Sequence, residues 1–146
     1  MSEPTAAMTR VDFHSNIADK IAYTCRLIRK ARKANCRIVV LTDAEQQPLL
    51  DAALWTFSDF EFIAHVKSDD VLAQQTPVIL AANETDTLPH HDVLINLTRQ
   101  PPSLFARFER LFEIVSTDTD DVASGRKRYR FYQQRGYPLT HSVADS

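Results

Sequence analysis

Five histidines, two cysteines and a basic stretch near the C-terminus are the places where this chain could do chemistry. His90-His91-Asp92 brings two imidazoles and a carboxylate together, a donor set that suits zinc. Neighbouring residues at the start of a strand point in different directions, however, and no HExxH, CxxC or distant histidine pair completes the set. The triplet therefore reads as a polar lead into a strand. Cys25 could be a nucleophile with His14 or His65 as its base. Its place on the apolar face of a helix makes it a buried thiol instead. No GxSxG elbow and no spaced carboxylate pair stands out, so the residues point away from catalysis and supply no metal or cofactor site.

Two features read better as binding surfaces. Near the C-terminus, Arg126, Lys127, Arg128 and Arg130 surround Tyr129 and Tyr132. On a helix Arg126 and Arg130 share a face with Tyr129, and guanidinium groups beside a ring suit an acidic peptide or a terminal carboxylate with an apolar neighbour. The same grouping could hold single-stranded nucleic acid through phosphate contacts and base stacking, or could simply be a solvated helix face. The second feature is the segment 55–62, in which Trp55, Phe57, Phe60 and Phe62 exceed what one turn and a short strand usually bury. Aromatic side chains anchor interfaces because they cover large areas at little entropic cost.

These residues need elements to hold them. Segment 10–14 alternates apolar and polar as a half-buried strand, and Ser15 or Asn16 can cap a helix with Ile17, Ile21, Cys25 and Ile28 on its inner face. The outer face gathers Arg26, Arg29, Lys30, Arg32, Lys33 and Arg37 without an acid, a set that fits a solvated helix end or a partner-binding patch. Segments 38–41, 77–81 and 93–97 are continuous apolar runs expected to be strands covered on both faces. Between the first two, Thr42 or Asp43 caps a helix with Pro48 near its first turn and Leu49, Leu50, Ala53 and Leu54 as its buried stripe. Segment 113–115 is read as the last strand. The final helix starts in the acidic turn of Asp118, Asp120 and Asp121 and stops at Gly136. Strand and helix alternate, which implies an α/β fold: three layers, with a largely parallel central sheet flanked by helices.

Composition sets the frame. At 146 residues, 44% hydrophobic and 25% charged, the chain fits one soluble domain (1–146), with 1–9 a polar leader and 138–146 a C-terminal tail. A net charge of −2 argues against a protein devoted to covering phosphates. Gly125 and Gly136 are the only glycines, so neither a GxGxxG nor a GxxxxGK[ST] phosphate loop can be built. No signal peptide or membrane span is evident, and two cysteines without CxxC spacing fit a reduced, cytoplasmic setting.

Together, Val11-Asp-Phe13, Asp51-Ala-Ala-Leu-Trp-Thr-Phe57 followed by Phe62-Ile-Ala-His65, Asp92-Val-Leu-Ile-Asn-Leu97, and Arg126-Lys-Arg-Tyr-Arg-Phe-Tyr132 leading to Gly136-Tyr137 resemble the chi subunit family of bacterial DNA polymerase III. The resemblance covers nearly the whole chain and departs from the family at Ala64, where Pro is frequent. It implies a Rossmann-like α/β fold without a phosphate-binding loop and a non-catalytic accessory subunit of the clamp loader, with no cofactor. It further implies that Val115, Arg126, Tyr129 and Arg130 bind the acidic C-terminal tail of single-stranded DNA-binding protein. Trp55 and Phe62 would bind the psi subunit, with a helicase as an alternative partner there, and DNA would be met only indirectly. A direct single-stranded nucleic-acid binder using the basic terminal helix is the other reading.

Overall fold

A computed structural model describes residues 8–56, 64–68, 70, 72–82 and 90–144. Within them the chain runs β1 (Arg10–Ile17), α1 (Lys20–Lys33), β2 (Ile38–Leu41), α2 (Gln46–Thr56), β3 (His65–Lys67), β4 (Val78–Ala81), β5 (Val93–Asn96), β6 (Arg110–Ser116), α3 (Thr119–Gln134) and β7 (Leu139–Val143). Short 3-10 turns at Ala73–Gln75 and Phe105–Arg107 fill the connections. The described strands form one sheet in the order β3-β4-β2-β5-β6-β1-β7, and each neighbouring pair is parallel.

The apolar runs explain the centre of that order. Every residue of β2, β4 and β5 is buried, as expected of parallel strands covered on both faces. Strand pleating divides their side chains between two cores. Ile38, Val40, Val78, Leu80, Val93 and Ile95 pack with Cys25 and Ile28 of α1 and Leu50 and Leu54 of α2. Val39, Leu41, Ile79 and Leu94 face the other way, with Phe13, Phe105, Phe108, Val115 and Tyr132. The three layers are thus α1 and α2, the sheet, and α3 with the 3-10 turns.

One end of the sheet, β6-β1-β7, departs from expectation. Strand β1 does not give way to a helix at Ser15 or Asn16. It continues to Ile17, which is a buried strand residue rather than a helical one. Asn16 takes a left-handed backbone (φ 62°), the β1–β6 register shifts between His14 and Ile17, and the cap of α1 falls on Asp19, whose Oδ1 accepts the Ala22 N–H at 3.0 Å. Asparagine tolerates that backbone better than most residues, so a bulge absorbs the irregularity that reads as a helix start. Segment 113–115 is part of a longer strand, and it is not the last one. Residues 139–143, read as part of a tail, form β7 beside β1. β7 is an exposed edge strand of mixed composition, so it shows no apolar run to announce it.

Other signals hold. Asp43 Oδ1 accepts the Gln46 N–H at 2.8 Å at the start of α2, and Pro48 lies in that helix's first turn. Gly136 ends α3 with φ +76°, and the Tyr137 N–H returns to the Tyr132 carbonyl at 3.2 Å, as in a Schellman closure.

Candidate functional site

Helix α3 is set on the sheet by its own cap and by an unusual inner face. Asp118 Oδ2 accepts the Asp121 N–H at 3.1 Å, and Asp120 and Asp121 place negative charge at the helix's positive end. Asp121, Gly125, Arg128 and Tyr132 follow at helical spacing and are buried. Asp121 accepts the Ser116 N–H at 2.7 Å and Lys20 Nζ at 3.2 Å, tying α3 to β6 and α1. Burial works to raise its pKa, but the Ser116 and Lys20 contacts prevail and hold the carboxyl below its ordinary value.

Below Arg128 and Tyr132 lies Glu113 of β6, fully buried. Its Oε1 accepts Arg128 Nε at 3.1 Å and Asn96 Nδ2 at 2.9 Å, and its Oε2 accepts the Tyr132 hydroxyl at 2.6 Å. This corrects the reading of the terminal helix as one basic and aromatic surface. Arg128 is 1% exposed and Tyr132 0%, so both belong to the core. Alternation along the helix hides this, because Arg128 stands among cations that are exposed.

With the helix so oriented, Arg126, Tyr129 and Arg130 fall on a flank that opens on a cavity of about 560 Å³ between α3 and the carboxyl ends of β1 and β6. All four residues singled out near the C-terminus (Val115, Arg126, Tyr129 and Arg130) line it. Val115 is buried, Tyr129 half-buried, and Arg126 and Arg130 are exposed. Phe13 packs edge-on to Tyr129 at 5.1 Å. Chemically this is an apolar slot with two guanidinium groups at its mouth. It can take an apolar side chain while its cations meet carboxylates.

Sequence reasoning misses the opposite wall, formed by Phe13, Ser15 and Asn16 of β1 and His141 of β7. His141 Nε2 is hydrogen-bonded to Ser15 Oγ at 2.6 Å. A parallel sheet binds ligands at the carboxyl ends of its strands, which could have suggested residues after Phe13, but only the strand order puts β1 between β6 and β7.

The aromatic segment is only partly visible. Trp55, in the last turn of α2, is 56% exposed, with its ring 4.7 Å from that of His65. His65 is itself buried against Asp51 at 3.0 Å. Phe57, Phe60 and Phe62 lie outside the described residues.

The catalytic candidates are occupied elsewhere. His90 is buried with Nε2 2.5 Å from the Thr76 carbonyl, while Asp92 accepts the Arg37 N–H at 2.9 Å. Among the described residues no group of three or more His, Cys, Asp and Glu could hold a metal ion. His14 is bonded to the Tyr23 hydroxyl. Burial pushes the Cys25 thiol up to about 11, which removes the thiolate a nucleophile needs. Iodoacetamide at mildly alkaline pH is therefore expected to label the partly exposed Cys36 and spare Cys25 until denaturant is added. Peptide mapping of the native and unfolded protein checks this.

Comparison with known proteins bears on the same region. A profile of the family described as "DNA polymerase III chi subunit, HolC" matches residues 8–140, from the start of β1 into β7. The chain belongs to this family. The DNA polymerase III subunit chi of Pseudomonas aeruginosa is 33% identical over 137 residues, covering 90% of this chain and 94% of that protein. The subunit chi of Haemophilus influenzae is 25% identical over 117 residues, covering 80% and 81%. As a chi subunit the chain is an accessory subunit associated with the DNA polymerase III complex. No helix among the described residues is long and apolar enough to cross a membrane.

Proposed function

We propose that this chi subunit is a non-catalytic, cytoplasmic link in the clamp loader, bound to psi at one surface and to the C-terminal tail of single-stranded DNA-binding protein at another. The cavity beside α3 carries this reading, since it joins an apolar slot to two exposed arginines within one site. In this reading Arg126 pairs with the tail's terminal carboxylate, Val115 and Tyr129 wall the slot for its last apolar side chain, and Arg130 meets upstream aspartates. Trp55 and Phe62 belong to the psi surface, where exposed Trp55 supplies an aromatic anchor.

A single tail contact is weak, about micromolar, because a short disordered peptide is ordered on binding. Many tails on one coated DNA raise the effective concentration and keep the polymerase engaged. Replacing Arg126 with Ala removes a charge-assisted contact without touching the core, so tail affinity should fall about tenfold or more at unchanged melting temperature. Titration of a labelled tail peptide into wild type and variant reads this directly. Equal affinity in the two would move the tail away from this cavity.

A further inference from the structure

The outer face of α1 has no part in either of these contacts. Seven of the chain's 17 Lys and Arg lie between Lys20 and Arg37, a stretch without Asp or Glu, which leaves ten to set against all 19 acids elsewhere. A net charge of −2 thus conceals a strongly polarised molecule. Lys20 is engaged with Asp121 and the Leu97 carbonyl, and Arg32 donates to the Cys36 carbonyl at 2.9 Å. Arg26, Lys30, Lys33 and Arg37 are exposed, and none of the four forms a salt bridge with a described acid.

Arg26, Lys30 and Lys33 succeed one another at helical spacing, making a cationic stripe about 10 Å long. Tyr23 begins it, with the Arg26 guanidinium 5.7 Å from its ring centre. Tyr23 in turn meets His14 edge-on at 5.5 Å and hydrogen-bonds its Nδ1. His14 lies edge-on to Phe112 at 5.3 Å, and the Arg110 guanidinium sits 4.6 Å over the same Phe112 ring. Of the acids beside this patch, Asp12 is already held by Arg110 Nε at 2.5 Å and by Thr140, and Asp19, one turn before Tyr23, caps α1 by accepting the Ala22 N–H at 3.0 Å. Burial, helped by Arg110 and Lys30 and opposed by Asp12, holds the His14 imidazole below its ordinary pKa, so it contributes a ring rather than a charge at neutral pH. Cations from α1 and β6 therefore flank a half-exposed Tyr23–His14 pair.

We propose that this face, running from Lys33 through Tyr23 to Arg110, binds single-stranded nucleic acid, with phosphates on the α1 cations and a base against Tyr23. Cationic grooves with interleaved rings are how proteins hold single strands without reading sequence. An acidic peptide fits less well, because such peptides need an apolar anchor. The exposed large apolar side chains described (Met8, Leu49, Trp55, Leu72 and Val143) all lie off α1. The placement also gives the face a purpose. Phe13 and Ser15 line the α3-side cavity, while His14 between them points to the α1 side, so β1 carries the two surfaces back to back.

The test is fluorescence anisotropy of a labelled oligothymidylate with the full chain at low salt, repeated as salt is raised. Binding is expected to weaken steeply with salt, and the triple variant Arg26→Glu, Lys30→Glu, Lys33→Glu should lose tenfold or more in affinity together with most of the salt dependence. Tyr23→Leu should cost about fivefold while leaving the salt slope unchanged, as loss of stacking does. Arg126→Ala should bind the oligonucleotide like wild type, which keeps this surface separate from the tail cavity. Retained tail-peptide binding in the triple variant shows that it is folded. No salt-sensitive binding by wild type, undiminished affinity in the triple variant, or displacement by polyglutamate as efficiently as by unlabelled oligonucleotide would each overturn the proposal.

Discussion

Glu113→Ala is expected to destabilise the protein by about 3–5 kcal/mol, because it leaves the Arg128 guanidinium buried and without its carboxylate. For a chain of this size that corresponds to a fall in melting temperature of roughly 10 °C or more. The Tyr132 hydroxyl and Asn96 Nδ2 lose their acceptor in the same step. Restoring charge balance is the control. Glu113→Leu combined with Arg128→Met replaces the pair by apolar groups of similar volume and should recover much of the loss, as buried ion pairs often do when both partners go. Thermal melts of the single and double variants decide the matter, and a double variant as unstable as Glu113→Ala would show that the pair is not what the site depends on.

The same carboxyl has a pH signature. Burial pushes Glu113 up to about 7, against the lowering influence of Arg128 and of the hydrogen bonds from Tyr132, Asn96 and Arg128. A carboxyl whose pKa is higher folded than unfolded binds more protons in the folded state, so its contribution is complete below about pH 4.5 and is lost as pH rises toward 7. Asp121 acts with the opposite sign, since its folded pKa is depressed and its contribution is lost as acid is added. Comparing wild type with Glu113→Gln isolates the first effect. The stability of wild type relative to the variant should decline across that window.

What could be read from residue order depended on whether burial was written in local pattern. β2, β4 and β5 announce themselves, because strands covered on both faces need unbroken apolar runs. β7 does not, because an exposed edge strand is held by backbone pairing to β1 and needs no apolar side chains. The boundary at Asn16 was misleading for a related reason. A residue suited to capping a helix is also suited to a left-handed bulge, and the neighbouring strands decide between them. In α3 the spacing of Arg126, Tyr129 and Arg130 was legible as a shared flank, whereas Arg128 turned inward to a carboxylate that is distant in sequence. A buried cation cannot be told from an exposed one until its partner is in place. The far wall of the cavity was hidden for the same reason, since Ser15 and His141 meet only through the pairing of the first strand with the last.

The close approach of α3 to β6 leads to the other large expected effect. A Cβ added at Gly125 would sit 2.9 Å from Val115 Cγ2 and 3.0 Å from Cγ1, both on a buried side chain that lines the cavity. In a helix interior, glycine is ordinarily a liability of about 1 kcal/mol relative to alanine, so its presence here reflects the contact and not the helix. Gly125→Val should therefore cost about 1–3 kcal/mol through overpacking, despite relieving the glycine's entropy. It should also cut tail-peptide affinity more than tenfold, because Arg126 is the next residue and Val115 the opposing wall. The two losses share one cause and should share one remedy. Gly125→Ala paired with Val115→Ala makes room for the new methyl, and its stability should exceed the sum of the single changes, the coupling expected of residues in direct contact. Additive behaviour in that double-mutant cycle would mean that Gly125 does not set the distance between α3 and β6. Recovery of stability without recovery of peptide binding would assign Val115 its own part in holding the tail, separate from the spacing that Gly125 permits.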